Sequence, residues 1–271
     1  MLGHSIALYV LLGAGTGLLG ALLGLGGGVF LVPILTVGLG LPIRVAIAAS
    51  LISVIATASA SATVDLRRGL VNLRLGLLLE VATSVGGLAG ALTSALLTQR
   101  QLFLSFAATL GVMSLVMMQR SGRRNVIQDD GADPGRLGGR IQEGERDYLY
   151  RVKRLPLAMG SSLVAGAISG LLGLGGGIIK VPVLSAFCGI PIKVAAATST
   201  FMIGVTAATS AFINYSRGDL NQQVAAAVCL GALPASLLGA RLSQRVEARA
   251  LKVLMALVLF VVGARMAFEG L

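Results

Sequence analysis

Nine long stretches of this chain carry at most one charged residue each: Ser5 to Leu41, Val45 to Val64, Leu75 to Thr98, Gln101 to Gln119, Leu155 to Ile179, Val181 to Ile192, Val194 to Ser216, Leu220 to Ala240 and Val253 to Ala264. A lipid core about 30 Å thick takes roughly 20 helical residues, and lone strands cannot cross it because their backbone groups would stay unpaired. The expected fold is therefore all-α, a polytopic transmembrane helical bundle of about 8–10 membrane segments. Composition agrees: of 271 residues, 55% are hydrophobic and only 12% charged, too few to cover a water-facing surface. Glycine is abundant, with 37 residues, and tryptophan absent, which favours helices packed backbone to backbone. The net charge of +11 raises the question of nucleic acid, but the basic residues sit between apolar runs and lack interleaved aromatics. No nucleic-acid partner is expected, and membrane lipid is.

The chain also repeats itself at an offset of 149 residues. Leu22 to Gly28 (LLGLGGG) recurs as Leu171 to Gly177, and Val32-Pro33 recurs as Val181-Pro182. Gly40, Pro42, Ile43 and Ser50 match Gly189, Pro191, Ile192 and Ser199, and Arg68-Gly69 with Asn72 match Arg217-Gly218 with Asn221. A register held without a gap marks a duplicated unit. The repeats are assigned to residues 1–119 and 155–271. Between them, residues 120–154 hold nine Lys or Arg and six Asp or Glu, a charged link expected to be flexible.

Three longer runs per half read as full spans, and the first run of each half as two short spans or a re-entrant hairpin. Either choice makes the number of crossings per half odd, so the second copy is expected inverted. Arg67, Arg68 and Arg74, the link, and Arg241, Arg245, Arg249 and Lys252 then fall on one side, expected to be cytoplasmic, with both termini periplasmic. The first residues lack a basic n-region and a small-residue cleavage site, so the N-terminus is expected in the mature protein.

Three features point to a site. Gly26, Gly27 and Gly28, and their copies Gly175, Gly176 and Gly177, precede Pro33 and Pro182 by a few residues inside apolar runs. Such clusters weaken a helix, and prolines remove a donor, so helix breaks are expected at the glycines with Pro33 and Pro182. Irregular backbone at membrane depth is tolerated where it is buried by protein or lines a cavity, and half-helix N-termini attract anions. The helix after each break is rich in hydroxyls, with Ser50, Ser53 and Thr57 on one helical face and Thr198, Ser199 and Thr200 in the copy. These form a neutral donor set for an oxyanion, or ordinary small-residue packing contacts. Lys180 replaces Leu31 of the first copy and either binds an anion or snorkels to the interface. Glu80 is either a proton-coupling group or a carboxylate reaching the interface, and Arg265 an outer-interface anchor.

Catalysis is not expected. GLGGG lacks the Lys-Ser/Thr ending of a P-loop, and the one histidine, His4, is poorly placed to serve an intramembrane serine. Cys188 and Cys229 are flanked by apolar residues and read as buried thiols, so neither metal nor cofactor is expected.

GLLGLGGG with V-P-x-L, then G-x-P-I-(K/R)-V-A and a serine-bearing helix, once per half, resembles the sulfite exporter family of the TauE/SafE type, also called the toluene sulfonate uptake permeases. The resemblance covers both membrane halves. It implies a bacterial inner-membrane secondary transporter, not an enzyme, for small sulfur-containing anions such as sulfite, sulfoacetate or other organosulfonates. It further implies coupling to protons and a central region at the glycine clusters, the two prolines and the Ser/Thr positions that follow. A permease or channel for another small anion such as a carboxylate, and a membrane scaffold that transports nothing, are the alternatives.

Overall fold

A computed structural model describes residues 5–24, 26–120, 135–143, 146–243 and 260–268. The first half comprises α1 (Ile6–Leu23), α2 (Gly28–Pro33) continued by a π-helical turn (Ile34–Gly38), α3 (Ile43–Arg67), α4 (Leu73–Ser94) and α5 (Gln99–Arg120). A two-stranded antiparallel hairpin, β1 (Gly139–Glu143) and β2 (Arg146–Tyr150), follows. The second half repeats the first as α6 (Leu155–Leu172), α7 (Gly177–Ala186), α8 (Ile192–Ser216) and α9 (Gln222–Leu242), with a last helical stretch, α10, over 260–268. Five of the described helices, α3, α4, α6, α8 and α9, are long and apolar enough to cross a membrane, and α1 is a shorter apolar helix.

The helix breaks fall where the glycine clusters predict. Gly24, Gly26 and Gly27 have φ of 68°, 79° and 77°, and Gly173, Gly175 and Gly176 take the same left-handed conformation in the copy. Side chains with a Cβ adopt it poorly, so these positions need glycine. The prolines behave differently from expectation. Pro182 lies inside α7 without ending it, and Pro33 closes α2 and leads straight into the π-helical turn. The glycines break the helices because three left-handed residues cannot continue a right-handed one.

The halves interlock. Helix α1 packs chiefly on α9, and its counterpart α6 chiefly on α4, while α3 and α8 cross at the centre. Glycine makes these approaches possible: a Cβ on Gly13 would strike the Val228 carbonyl, and one on Gly17 would lie 2.7 Å from that of Ala232. Gly86 and Gly90 meet Leu163 and Ala167 in the same way, and Gly166 and Gly170 meet Thr83 and Gly87. Residue numbers rise together along both interfaces, so α1 runs parallel to α9 and α4 parallel to α6.

The same reasoning gives the relation between the repeats. Gly76 packs on Thr198 and Phe201 and Gly87 on Thr206 and Ser210, so α4 runs parallel to α8. Five residues, 68–72, join α3 to α4, and at about 3.5 Å each they cannot recross the bilayer, so α3 and α4 are antiparallel. Helix α8 therefore opposes α3, its own copy: the repeats are inverted. The link, the α3–α4 connection and the C-terminal end of α9 share one end of the bundle.

The link departs from the flexible segment expected, for its described part is the β hairpin. Tyr150 is buried, and its burial holds the phenol above its ordinary pKa, so it is neutral. Asn72 ties the hairpin down. Its Oδ1 caps α4 at the Leu75 N–H, its Nδ2 donates to the Leu137 carbonyl (2.8 Å) and to Tyr150 Oη (2.9 Å), and its backbone N–H donates to Thr198 Oγ1 (2.9 Å). Residues 121–134 of the link lie outside the described residues, as do His4, Arg245, Arg249 and Lys252.

The backbone contacts predict a sharp contrast. Gly90→Val forces α4 away from the Ala167 carbonyl and costs at least about 1–3 kcal/mol, whereas Gly160→Ala, with open space within 4 Å, leaves stability unchanged or slightly higher. Thermal unfolding of the detergent-solubilised variants checks both.

Candidate functional site

The two breaks meet at the centre of the bundle. A Cβ on Gly28 would collide with the Gly173 carbonyl and lie 2.7 Å from Ser50 Oγ, and one on Gly177 would lie 3.0 Å from the Gly24 carbonyl. Each repeat thus presents the first residue of its short helix to the broken backbone of the other. Gly26, Gly27, Gly28, Gly175, Gly176 and Gly177 are the residues of this junction, and all six are buried.

The candidate hydroxyls are buried but divide into two groups. In the first repeat two of the three are spent on the backbone at the junction. Ser50 Oγ donates to the Gly173 carbonyl (3.0 Å), and Thr57 Oγ1 lies 2.9 Å from the Gly26 carbonyl. Ser53 Oγ is buried with no hydrogen-bond partner. In the second repeat the equivalents do not bind the junction. Ser199, the copy of Ser50, leaves its Oγ buried and unpartnered beside Gly177. Thr206, the copy of Thr57, places its Oγ1 2.7 Å from Glu80 Oε1. Thr198 does not join the centre, since it receives the Asn72 N–H at the end of the bundle that carries the link, and Thr200 lies beside Gly24.

The two buried charged side chains lie one in each repeat. Lys180 on α7 is 0% exposed and its Nζ has no hydrogen-bond partner, so it does not snorkel. Glu80 on α4 is 6% exposed and does not reach the interface. Ser84 and Thr206 both reach its Oε1, at 2.9 and 2.7 Å, while Oε2 has no partner. The counterpart of Lys180 in the first repeat is Leu31, and the counterpart of Glu80 in the second is Cys229. The charged arrangement therefore exists on one side of the pseudo-symmetry only.

Sequence reasoning passed over Ser84, Ser162 and Ser169. Ser162 and Ser169 on α6 are fully buried with unpartnered Oγ atoms, and Ser169 packs against Gly176. The signal available was spacing, because Ser84 follows Glu80 by four residues and Ser162 and Ser169 lie seven apart, each pair on one helical face. Arg265 is exposed, as an interface anchor would be; Cys188 is buried and Cys229 half-buried. Among the described residues no group of His, Cys, Asp and Glu is suited to hold a metal ion.

A polytopic bundle of two inverted repeats, with helix breaks that meet and a lysine and a glutamate buried within it, is suited to a membrane carrier. The chain belongs to the sulfite exporter TauE/SafE family, whose profile matches residues 9–266. It is 27% identical to the probable membrane transporter protein YunE of Bacillus subtilis, over 98% of this chain and 99% of that one. A probable membrane transporter protein of Xylella fastidiosa is 27% identical over 89% of this chain and 87% of its own, and one of Methanocaldococcus jannaschii 27% identical over 57% and 65%. No solved structure matches. The protein is a multi-pass membrane transporter and not an enzyme.

The split between spent and free hydroxyls predicts different costs for two equivalent substitutions. Ser50→Ala strands the buried Gly173 carbonyl and lowers stability by about 1 kcal/mol, whereas Ser199→Ala removes an unpartnered group and does not. Thermal unfolding of the two variants side by side makes the comparison.

Proposed function

We propose that this transporter exports small sulfur-containing anions such as sulfite, sulfoacetate or other organosulfonates, coupled to protons, by alternating access. One observation carries the reading. Lys180 places its Nζ at zero exposure with no hydrogen-bond partner, in the first turn of a helix whose N-terminal end opens at the Gly175–Gly177 break. An amine so placed is costly to charge, and an anion that enters offsets the cost. Ser199 Oγ, unpartnered beside Gly177 at the start of the same helix, is a further donor. Glu80 is the coupling carboxylate. The glycine junction, with Pro33 and Pro182 in the short helices behind it, forms the floor of the site, and Ser53, Thr198 and Thr200 lie on the helices that would rock.

The family description supports the sulfur anion, and the relatives' names support transport without naming a substrate. The basic residues Arg67, Arg68 and Arg74 lie at the end with the link, which supports a cytoplasmic link and periplasmic termini in a bacterial inner membrane.

The test is uptake of radiolabelled sulfite and sulfoacetate into proteoliposomes, with and without an imposed pH gradient, with acetate and sulfate as competitors. Gradient-dependent flux blocked by sulfonates is the expected result; flux blocked by acetate alone moves the substrate to carboxylates. Lys180→Leu, which restores the first-repeat residue, lowers anion affinity at least about tenfold, the equivalent of roughly 1.4 kcal/mol, in a protein that still folds. Unchanged affinity removes Lys180 from the site.

A further inference from the structure

We infer that the seam between α3 and α9 is the shear plane of this transporter, the surface that slides when access changes sides, and that α4 and α8 travel as one unit. The inference rests on the alternating-access reading and names the part of the fold that moves.

The argument starts from two interfaces that the duplication makes counterparts. Helix α4 packs on α8, and at the offset of 149 residues the same pair recurs as α9 on α3. Hydrogen bonds cross the first interface at four levels. At the link end the Asn72 N–H donates to Thr198 Oγ1 (2.9 Å), and further in Thr206 Oγ1 lies 2.7 Å from Glu80 Oε1. Ser210 Oγ then reaches the Gly87 carbonyl (3.4 Å), and at the far end Arg217 donates to the carbonyls of Ala91 (2.6 Å) and Leu92 (3.2 Å). These rungs run the whole length of α4.

Among the described residues no hydrogen bond crosses the second interface. Ala49 stands in the place of Thr198 and Cys229 in that of Glu80, so two rungs lack a partner. Thr57, the copy of Thr206, turns to the Gly26 carbonyl, and Ser61, the copy of Ser210, is buried with its Oγ unpartnered. Ser236, in the place of Gly87, donates to the Leu233 carbonyl of its own helix (2.8 Å). Arg68, the copy of Arg217, is exposed. The buried residues of α9 are Ala, Gly and Ser apart from Val224 and Val228.

Two helices that slide must break the buried hydrogen bonds between them, and the lipid core offers no water in exchange. That holds α4 to α8. Between α9 and α3 only dispersion is given up, and small side chains regain it after a shift. A separate observation singles out α9. Pro234 lies inside it and removes the N–H that would bond the Leu230 carbonyl, at the position where α4 has Val85. A helix short of that bond bends there, so α9 can flex as it slides.

The experiment staples the two interfaces at equivalent positions and measures uptake of labelled sulfoacetate into proteoliposomes. Both native cysteines are first replaced, as Cys188→Ser with Cys229→Ser. The seam then carries Ser61→Cys with Ser236→Cys. The ladder carries Gly87→Cys with Ser210→Cys, where a Cβ on Gly87 lies 3.2 Å from Ser210 Oγ. Oxidation or a short bis-methanethiosulfonate closes each staple and dithiothreitol opens it, so each variant is its own folding control. Closing the seam staple is expected to lower uptake at least about tenfold, and closing the ladder staple to leave it within about twofold. A second variant builds a rung instead: Ala49→Thr gives the Asn221 N–H the acceptor that Thr198 gives Asn72, and is expected to slow uptake about fivefold with no loss of thermal stability. Equal loss from both staples, or full uptake with the seam stapled, overturns the shear plane and leaves the transport reading intact. Absence of uptake of sulfoacetate and sulfite alike by the unmodified protein overturns the transport reading itself.

Discussion

In a lipid-facing bundle a carbonyl that leaves its helix has no water to turn to, and the architecture of this protein is arranged around that constraint. Each repeat breaks a helix at its glycine cluster, in left-handed backbone open to glycine, and so frees carbonyls at the bilayer's depth. Two hydroxyls of α3 take up the cost, Ser50 at Gly173 and Thr57 at Gly26. Ser50 reaches across to the other repeat's break. The pairing of backbone with side chain therefore joins the halves at the place where each is least regular.

Lipid supplies no hydrophobic force between helices, so what holds the remainder is dispersion across close backbones and the polar contacts they permit. Most glycines of α1, α4, α6 and α9 face the partner half, among them Gly13, Gly17, Gly86, Gly90, Gly166 and Gly231. Because α1 packs chiefly on α9 and α6 chiefly on α4, each repeat completes the other's outer layer. Arg217 adds to this at the end away from the link, donating to the Ala91 carbonyl at 2.6 Å, while Arg44 donates to the Leu97 carbonyl at 2.9 Å. The last turn of α4 and the loop after it are thus capped from both repeats, which satisfies carbonyls that a helix end leaves open.

Much of this was legible before any coordinates. The uncharged runs announced the helices, and the offset of 149 residues placed α1, α3 and α4 on α6, α8 and α9. Odd parity foretold inversion. Helix breaks were readable from glycine because left-handed backbone has a residue signature; the role of Pro182 was not, since a proline ends a helix only where its neighbours cannot re-satisfy the freed carbonyl. The hairpin of the link escaped notice among its charges. Nor could the sequence divide the hydroxyls. Ser50 and Ser199 are the same residue at the same place in the repeat, and only packing distinguishes a serine that binds a carbonyl from one that binds nothing. Lys180 and Glu80 were readable as intramembrane charges, but their burial was not, because it depends on which helices close over α7 and α4.

That asymmetry is the most informative consequence of duplication. A symmetric pair of repeats would make two equivalent sites around the axis, and any group in one would have its twin in the other. Here the twins have separated in role. Thr57 holds a backbone carbonyl, whereas Thr206 holds a carboxylate that the corresponding position of the other half, Cys229, does not supply. Leu31 fills apolar core with zero exposure, and Lys180 occupies the same place with a charge. Ser50 and Thr57 of the first repeat brace the junction carbonyls, while Ser199 and Lys180 of the second are buried without partners. Groups left unsatisfied in this way cost stability, and the braced twin positions hold the junction against that cost. Duplication thus lets one copy of a position serve the framework while its twin stays open.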